Sequence, residues 1–220
     1  MTRISSFIDT IWAYLPGMIV AGWLAFQITV LAILLSWVLG LVAALMKTSS
    51  HRVVRMPADF YIWFIRGTPS LIQIFIIYFG LPQLGIRLSP FVAGVIAIGL
   101  CSGAYVAEVV RGGLLAISKG QWESARAVGM SYALMMRRII LPQVVRVIIP
   151  PLTNEAVNTL KNTSLLSAIT VMELTLFTQM AIAATFRPFD FYIVAALLYL
   201  ALTTVLSRFA AWWESKYQIS

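Results

Sequence analysis

MIVAGWLAFQITVLAILLSWVLGLVAALM, residues 18–46, runs from end to end without a charged side chain. An α-helix rises 1.5 Å per residue, so this run is roughly 43 Å long against a hydrocarbon thickness of about 30 Å. It predicts a membrane-crossing helix that tilts or protrudes. Four further apolar runs lie at 57–80, 91–117, 144–169 and 189–212. The second is interrupted by Arg66-Gly67-Thr68-Pro69, where proline removes a backbone donor and clashes with the preceding turn. Residues 58–65 then read as an entry segment and 69–79 as the apolar continuation. Residues 81–90 hold Pro, Gly and Ser and predict a turn. Residues 173–187 are moderately polar and too short for a span. The expectation is an all-α membrane protein with about five transmembrane helices.

Composition agrees with that expectation. Apolar residues make up 60% of the chain and charged residues 11%, whereas a soluble domain averages about a quarter charged. The net charge is +8. In a soluble protein that would raise nucleic-acid binding. In a membrane chain, basic residues gather in cytoplasmic loops instead, so no nucleic-acid partner is expected. Cys101 is the one cysteine, which excludes an internal disulfide. The start has Arg3, then Asp9, and an apolar stretch far longer than a signal core, so it does not read as a cleaved signal.

Orientation comes from the Lys and Arg count. The segments after spans one and three hold Lys47, Arg52, Arg55, Lys119, Arg126, Arg137, Arg138 and Arg146, and the tail adds Arg208 and Lys216. The other side holds Arg3, Arg87 and Arg187. The bias places the N-terminus outside and the C-terminus in the cytoplasm. Five spans satisfy that parity. Within span three, Gly99, Gly103 and Ala107 recur every four residues and share one face, letting another backbone approach closely. Packing within the chain and a subunit interface are both open readings of that stripe.

The polar loop 118–142 contains KGQWESARAVGMSYALMMRRIILP, residues 119–142. Residues 122–128 are good helix formers, and Gly129 can take positive φ and end that helix. Ser131 can cap a second helix over 132–141, with Pro142 as punctuation before span four. Ala125 and Ala127 keep the first helix thin enough to enter a groove.

These residues resemble a cytoplasmic motif of the permease subunits of bacterial ATP-binding-cassette importers: Glu-Ala-Ala, three residues, Gly, nine residues, Ile, one residue, Leu-Pro. Here it reads Glu123-Ser124-Ala125, Gly129, Ile139, Leu141-Pro142, with every spacing kept and Ser124 in place of Ala. RGTPSLIQIFIIYFGLP (66–82), SGAYVAEVVRGG (102–113) and PPLTNEAVNTLKNTSLLSAI (150–169) are similar to signatures of the branch for polar amino acids, such as the histidine, glutamine and cystine permeases.

The resemblance implies a type I importer permease. Residues 1–17 would be periplasmic, 18–213 the permease domain with its coupling-helix loop at 118–142, and 214–220 a cytoplasmic tail. It implies ATP-binding-cassette ATPase subunits, a second permease (identical or homologous), a periplasmic substrate-binding protein and an amino-acid substrate as partners, in the bacterial inner membrane. The loop would seat in a cleft on the ATPase, so that ATP-driven closure moves the spans. The chain lacks the G-x-x-x-x-G-K-[ST] phosphate loop, so no catalytic site, cofactor or metal is expected, and ATP belongs to the partner.

Charges and amides inside spans are functional hypotheses by default. Arg66, Glu108 and Glu155 sit at similar depth, so Arg66 can pair with either acid, to hold the fold or to contact substrate. Asn154, Asn158 and Asn162 are spaced by four and share a helix face. That face, with Glu155, either lines a substrate path or bonds neighbouring helices. Lys161 reaches a substrate carboxylate or snorkels to the outer interface. His51 stands in a basic loop without a metal cluster, and Trp12, Trp23, Trp37, Trp212 and Trp213 suit interfacial anchoring. An intramembrane enzyme is disfavoured because no H-E-x-x-H or G-x-S-x-G appears. A passive channel or secondary carrier without an ATPase partner is the alternative, but it would not need the 123–142 loop.

Overall fold

A computed structural model describes the backbone of residues 3–217 and the side chains of residues 9–215. Arg3 and Lys216 of the charge count lie outside the described side chains. The first helix, α1, spans Arg3–Lys47. It begins well before residue 18, because Pro16 and Gly17 do not stop it. At about 67 Å it is more than twice the hydrocarbon thickness. Its first turns pack beside later elements: a Cβ on Gly17 would strike the Phe177 ring.

Helix α2 (Arg52–Gly67) is followed by α3 (Ser70–Phe75), a π-helical turn at Ile76–Gly80 and a 3-10 turn at Leu81–Leu84. The sequence predicts an interruption here. The structure makes it a bend of 113° between Arg52–Gly67 and Ser70–Leu84. Thr68 and Pro69 are both extended, as proline demands of itself and its predecessor. The carbonyls freed by the break need partners inside a membrane. Gln73 supplies them, its Nε2 donating to Ile65 O at 2.8 Å, Thr68 O at 2.9 Å and Thr68 Oγ1 at 2.7 Å. Cys101 Sγ in turn donates to Gln73 Oε1 at 2.8 Å.

Gly85 closes the turn after Leu84 in the left-handed region. Ser89 then caps α4 (Pro90–Ala116), accepting from Val92 N at 3.3 Å. The small-residue stripe of α4 meets α1. A Cβ on Gly99 would lie 2.6 Å from Leu35, and one on Gly103 3.2 Å from Leu39 Cβ. From the other side, one on Gly40 would lie 2.4 Å from Val106. The stripe therefore serves packing within the chain.

The loop holds α5 (Lys119–Ala127) and α6 (Tyr132–Met135). A π-helical turn at Met136–Ile140 joins α6 to α7 (Leu141–Asn162). Pro142 does not end a helix as the sequence reading expects. The wide π turn just before it absorbs the missing donor, and the helix runs on from the loop into span four. A 3-10 segment, Thr163–Ile169, extends it to the left-handed Thr170. There the chain bends by 51° into α8 (Leu174–Thr185), so residues 173–187 form the bent continuation of span four. The last helix, α9, spans Pro188–Tyr217.

Among the described residues, three helices are long and apolar enough to cross a membrane, or up to five where each bent pair counts as one span. Ile28, Ile74, Ala97, Leu166 and Ile169 form a central core shared by α1, α3, α4 and the end of span four.

Candidate functional site

Two regions concentrate the residues that the sequence singles out. The first is the loop. Helix α5 ends in a glycine turn: Met130 N donates to Ala125 O at 3.1 Å and Gly129 N to Arg126 O at 2.9 Å, with Gly129 at φ +77°. This is the Schellman arrangement, which favours glycine at that position. Ser131 caps the next helix, accepting from Leu134 N at 3.4 Å.

The motif residues divide by role. Ala125 is 1% exposed and packs in a small core with Ile117, Met135, Ile140 and Val144. Its small size therefore fits the loop against its own chain; only Ala127, of the two alanines, faces out. Ile139 is half-buried beside that core. Glu123, Ser124, Gly129, Leu141 and Pro142 are all exposed. Between them stand Val128, 76% exposed, and Tyr132, 67% exposed. These two apolar groups flank Gly129, and the motif's spacing does not include them. Their position either side of the glycine is the signal that marks them.

The second region is polar and lies where α4 crosses α7. Thr159 and Ser102 are buried, their hydroxyls 2.8 Å apart. Thr159 Oγ1 also donates to Glu155 O at 2.8 Å. Glu155 is half-buried, and Asn158 follows it three residues later on α7. Asn154, Asn158 and Lys161 are exposed, and Asn162 is half-buried. Asn154 bonds no other helix of this chain among the described residues, and Lys161 has no acidic partner there. The amide face points away from its own bundle.

Arg66 is not paired with Glu155, and it is a minor partner of Glu108. Its Nη1 is 3.9 Å from Glu108 Oε2. Lys47 Nζ lies 2.8 Å from Glu108 Oε1 and Arg111 Nη2 2.6 Å from Glu108 Oε2. Lys47 is the last residue of α1, so the cluster belongs to the helix end, where Lys47 also reaches Asp59 at 3.6 Å. Helix rise alone places Arg66 level with both acids, but the 113° bend turns the chain just after it. Arg66 rests instead over the Tyr105 ring, 5.6 Å from its centroid.

A third acid is inconspicuous in the sequence. Glu173 is 0% exposed. Its carboxyl accepts from Thr175 N at 2.8 Å, Leu176 N at 2.9 Å and Tyr199 Oη at 2.8 Å. It caps α8 and ties it to α9 at the bend of span four. A capping acid before an apolar run is the legible signal.

A family model described as "Binding-protein-dependent transport system inner membrane component" matches residues 36–219. The chain is 40% identical over 179 residues to a probable glutamine ABC transporter permease protein, GlnM, of Bacillus subtilis (strain 168), covering 81% of this chain and 83% of that one. It is 42% identical over 197 residues to the octopine transport system permease protein OccM of Rhizobium meliloti, covering 86% and 80%. A crystal structure of an amino acid ABC transporter with histidines superposes with a TM-score of 0.89 at 36% identity, covering 98% of this chain and 99% of that one. The MetNI methionine ABC transporter, at 15% identity and a TM-score of 0.74, shares the fold.

Proposed function

Because the chain belongs to the family of binding-protein-dependent transport system inner membrane components, we propose that it is the membrane-spanning permease of an ATP-driven importer for a polar amino acid or close derivative. The observation that carries this reading is the exposed loop: a short helix, a Schellman glycine and a capped second helix, with Glu123, Val128, Gly129 and Tyr132 presented outward. An apolar surface of that kind on an otherwise basic loop is a seat for a partner. The partner is a cytoplasmic ATP-binding-cassette ATPase, which binds the nucleotide; this chain binds none. The helical run from Tyr132 through Ile169, with a π-helical turn at Met136–Ile140 and Pro150 and Pro151 inside α7, is a lever: a push on the loop is delivered along it to Glu155 and Asn158. Affinity purification of the tagged chain from its native membrane tests the reading. An ATPase subunit should copurify. A chain that transports without one is a passive channel or secondary carrier.

The amide face of α7 lines the substrate path, facing a second permease across it. A substrate ammonium suits Glu155, and its carboxylate suits the amide donors or Lys161. Asn158→Leu removes the hydrogen bonds at similar volume. Uptake should fall about tenfold, the loss of one or two hydrogen bonds at about 1 kcal/mol each, with the ATPase still bound. Unchanged uptake removes Asn158 from the path, and a dissociated complex makes the face an intersubunit contact instead.

The basic loops face the cytoplasm and residues 81–89 the periplasm. Gln83 is exposed in the outer turn. A cysteine placed there in a Cys101→Ser background should react with an impermeant thiol reagent added to the periplasmic side. Labelling from the cytoplasmic side alone would invert the orientation.

A further inference from the structure

Helices α1, α7 and α9 enclose a trough of about 310 Å³ on the outside of the bundle. Ile33, Trp37, Leu152, Ala156, Leu206 and Trp213 line it. The one hydroxyl in the lining, Thr153 Oγ1, is turned back onto Ile149 O at 3.1 Å, so the wall is almost wholly hydrocarbon apart from the indoles of Trp37 and Trp213.

The trough lies on the side of α7 away from the amides. Counting 3.6 residues per turn, Leu152 and Ala156 point to roughly the opposite side of the helix from Asn154 and Asn158. If the amides meet the path and the second permease, the trough meets the bilayer. Arg146 stands three residues before the trough residue Ile149, one turn nearer the loop end of α7. It is exposed and makes no ion pair among the described residues. Trp37 and Trp213 are part-exposed in the same trough, and indole rings favour the membrane–water boundary. An apolar slot with a cation at its headgroup end has the charge pattern of an anionic phospholipid.

We propose that this trough is a binding site for an anionic phospholipid of the cytoplasmic leaflet, with an acyl chain in the slot and the phosphate at Arg146. The leaflet rests on the orientation proposed above; the site itself does not. A bound chain fills the gap between α7 and α9 and so bears on the lever helix from its lipid side.

The test is native mass spectrometry of the purified full-length chain, titrated with dioleoyl phosphatidylglycerol and, separately, dioleoyl phosphatidylcholine. Phosphatidylglycerol should be retained over phosphatidylcholine by about fivefold, the worth of one juxtamembrane cation. Arg146→Gln should abolish that preference while lipid is still bound. Ala156→Trp and Ala210→Trp, which fill the slot, should each reduce the bound lipid. Equal retention of the two lipids by the unaltered chain, or unchanged lipid in both filled variants, overturns the proposal. Filled variants that lose self-association while keeping their lipid show a second permease to be the occupant, which also overturns it. Arg146→Gln is a surface change and decides the headgroup even where a filled variant does not fold. Lipid retention does not depend on transport or on an ATPase, so a failed importer reading and a failed lipid site give different results.

Discussion

Glu173→Leu is expected to destabilise the chain by about 2–5 kcal/mol, because it leaves buried donors without an acceptor at about 1–3 kcal/mol each. Two groups lose their partner at once, the amides of Thr175 and Leu176, while the hydroxyl of Tyr199 keeps Thr175 Oγ1 at 3.1 Å. The two amides belong to the first turn of α8, which has no intrahelical acceptors for them. In a lipid-facing bundle water does not replace the carboxyl. Leucine fills most of the volume, so the loss reads hydrogen bonding rather than a cavity. Glu173→Gln keeps one acceptor oxygen and should cost about 1 kcal/mol, near a typical single hydrogen bond. Thermal unfolding in detergent, followed by the fraction remaining monodisperse, should order the three proteins as Glu, Gln, Leu. A leucine variant as stable as the parent would show that the bend at Thr170–Glu173 is held by packing alone, through Leu174, Ala181 and Phe191.

Gly129→Asp is expected to lower copurified ATPase by about tenfold or more, since an unpaired charge in a desolvated contact costs at least about 1.4 kcal/mol. Gly129 has φ +77° and no heavy atom within 4 Å of a built Cβ. Space is therefore available, and only the backbone conformation and the partner can object. Asp and Asn both tolerate the left-handed region, where a β-branched residue does not. Gly129→Asn is thus the informative control. It should preserve the turn and most of the ATPase, whereas Gly129→Val should lose the turn itself. If Asp and Asn behave alike, the charge is irrelevant and the glycine serves only its own chain. If all three variants retain the ATPase, the seat lies elsewhere on the loop.

Both predictions depend on features that a linear reading treats unevenly. Gly129 is legible because a glycine just past a helix-forming stretch, before a capping serine, has one physical use. Glu173 is legible only as a capping acid, because its tie to α9 is through Tyr199, twenty-six positions later. The same contrast runs through the polar residues. Asn154, Glu155 and Asn158 are recognisable as a helix face by their spacing. Ser102 and Thr159, which hold that face to α4, look like ordinary small residues until the two helices cross. Arg66 shows the converse. Its charge in an apolar run is conspicuous, yet Lys47 and Arg111 dominate Glu108, because proximity across helices is not a function of rise along one.

By itself the sequence determined the solvent, the class and the helix–glycine–helix loop. Apolar runs longer than a bilayer, a scarcity of charge and a glycine–serine pair at fixed spacing are local properties that no tertiary arrangement can remove. The tertiary structure decided whatever depends on contacts between distant segments. It turned the expected interruption at Thr68–Pro69 into a 113° bend satisfied by Gln73. It carried the helix through Pro142 by a π turn, buried Ala125 against its own chain and turned the amides of α7 outward. Periodicity fixes which residues share a face. Which neighbour that face meets depends on where the other helices pack, and that is set by side-chain volumes such as Leu35 against Gly99.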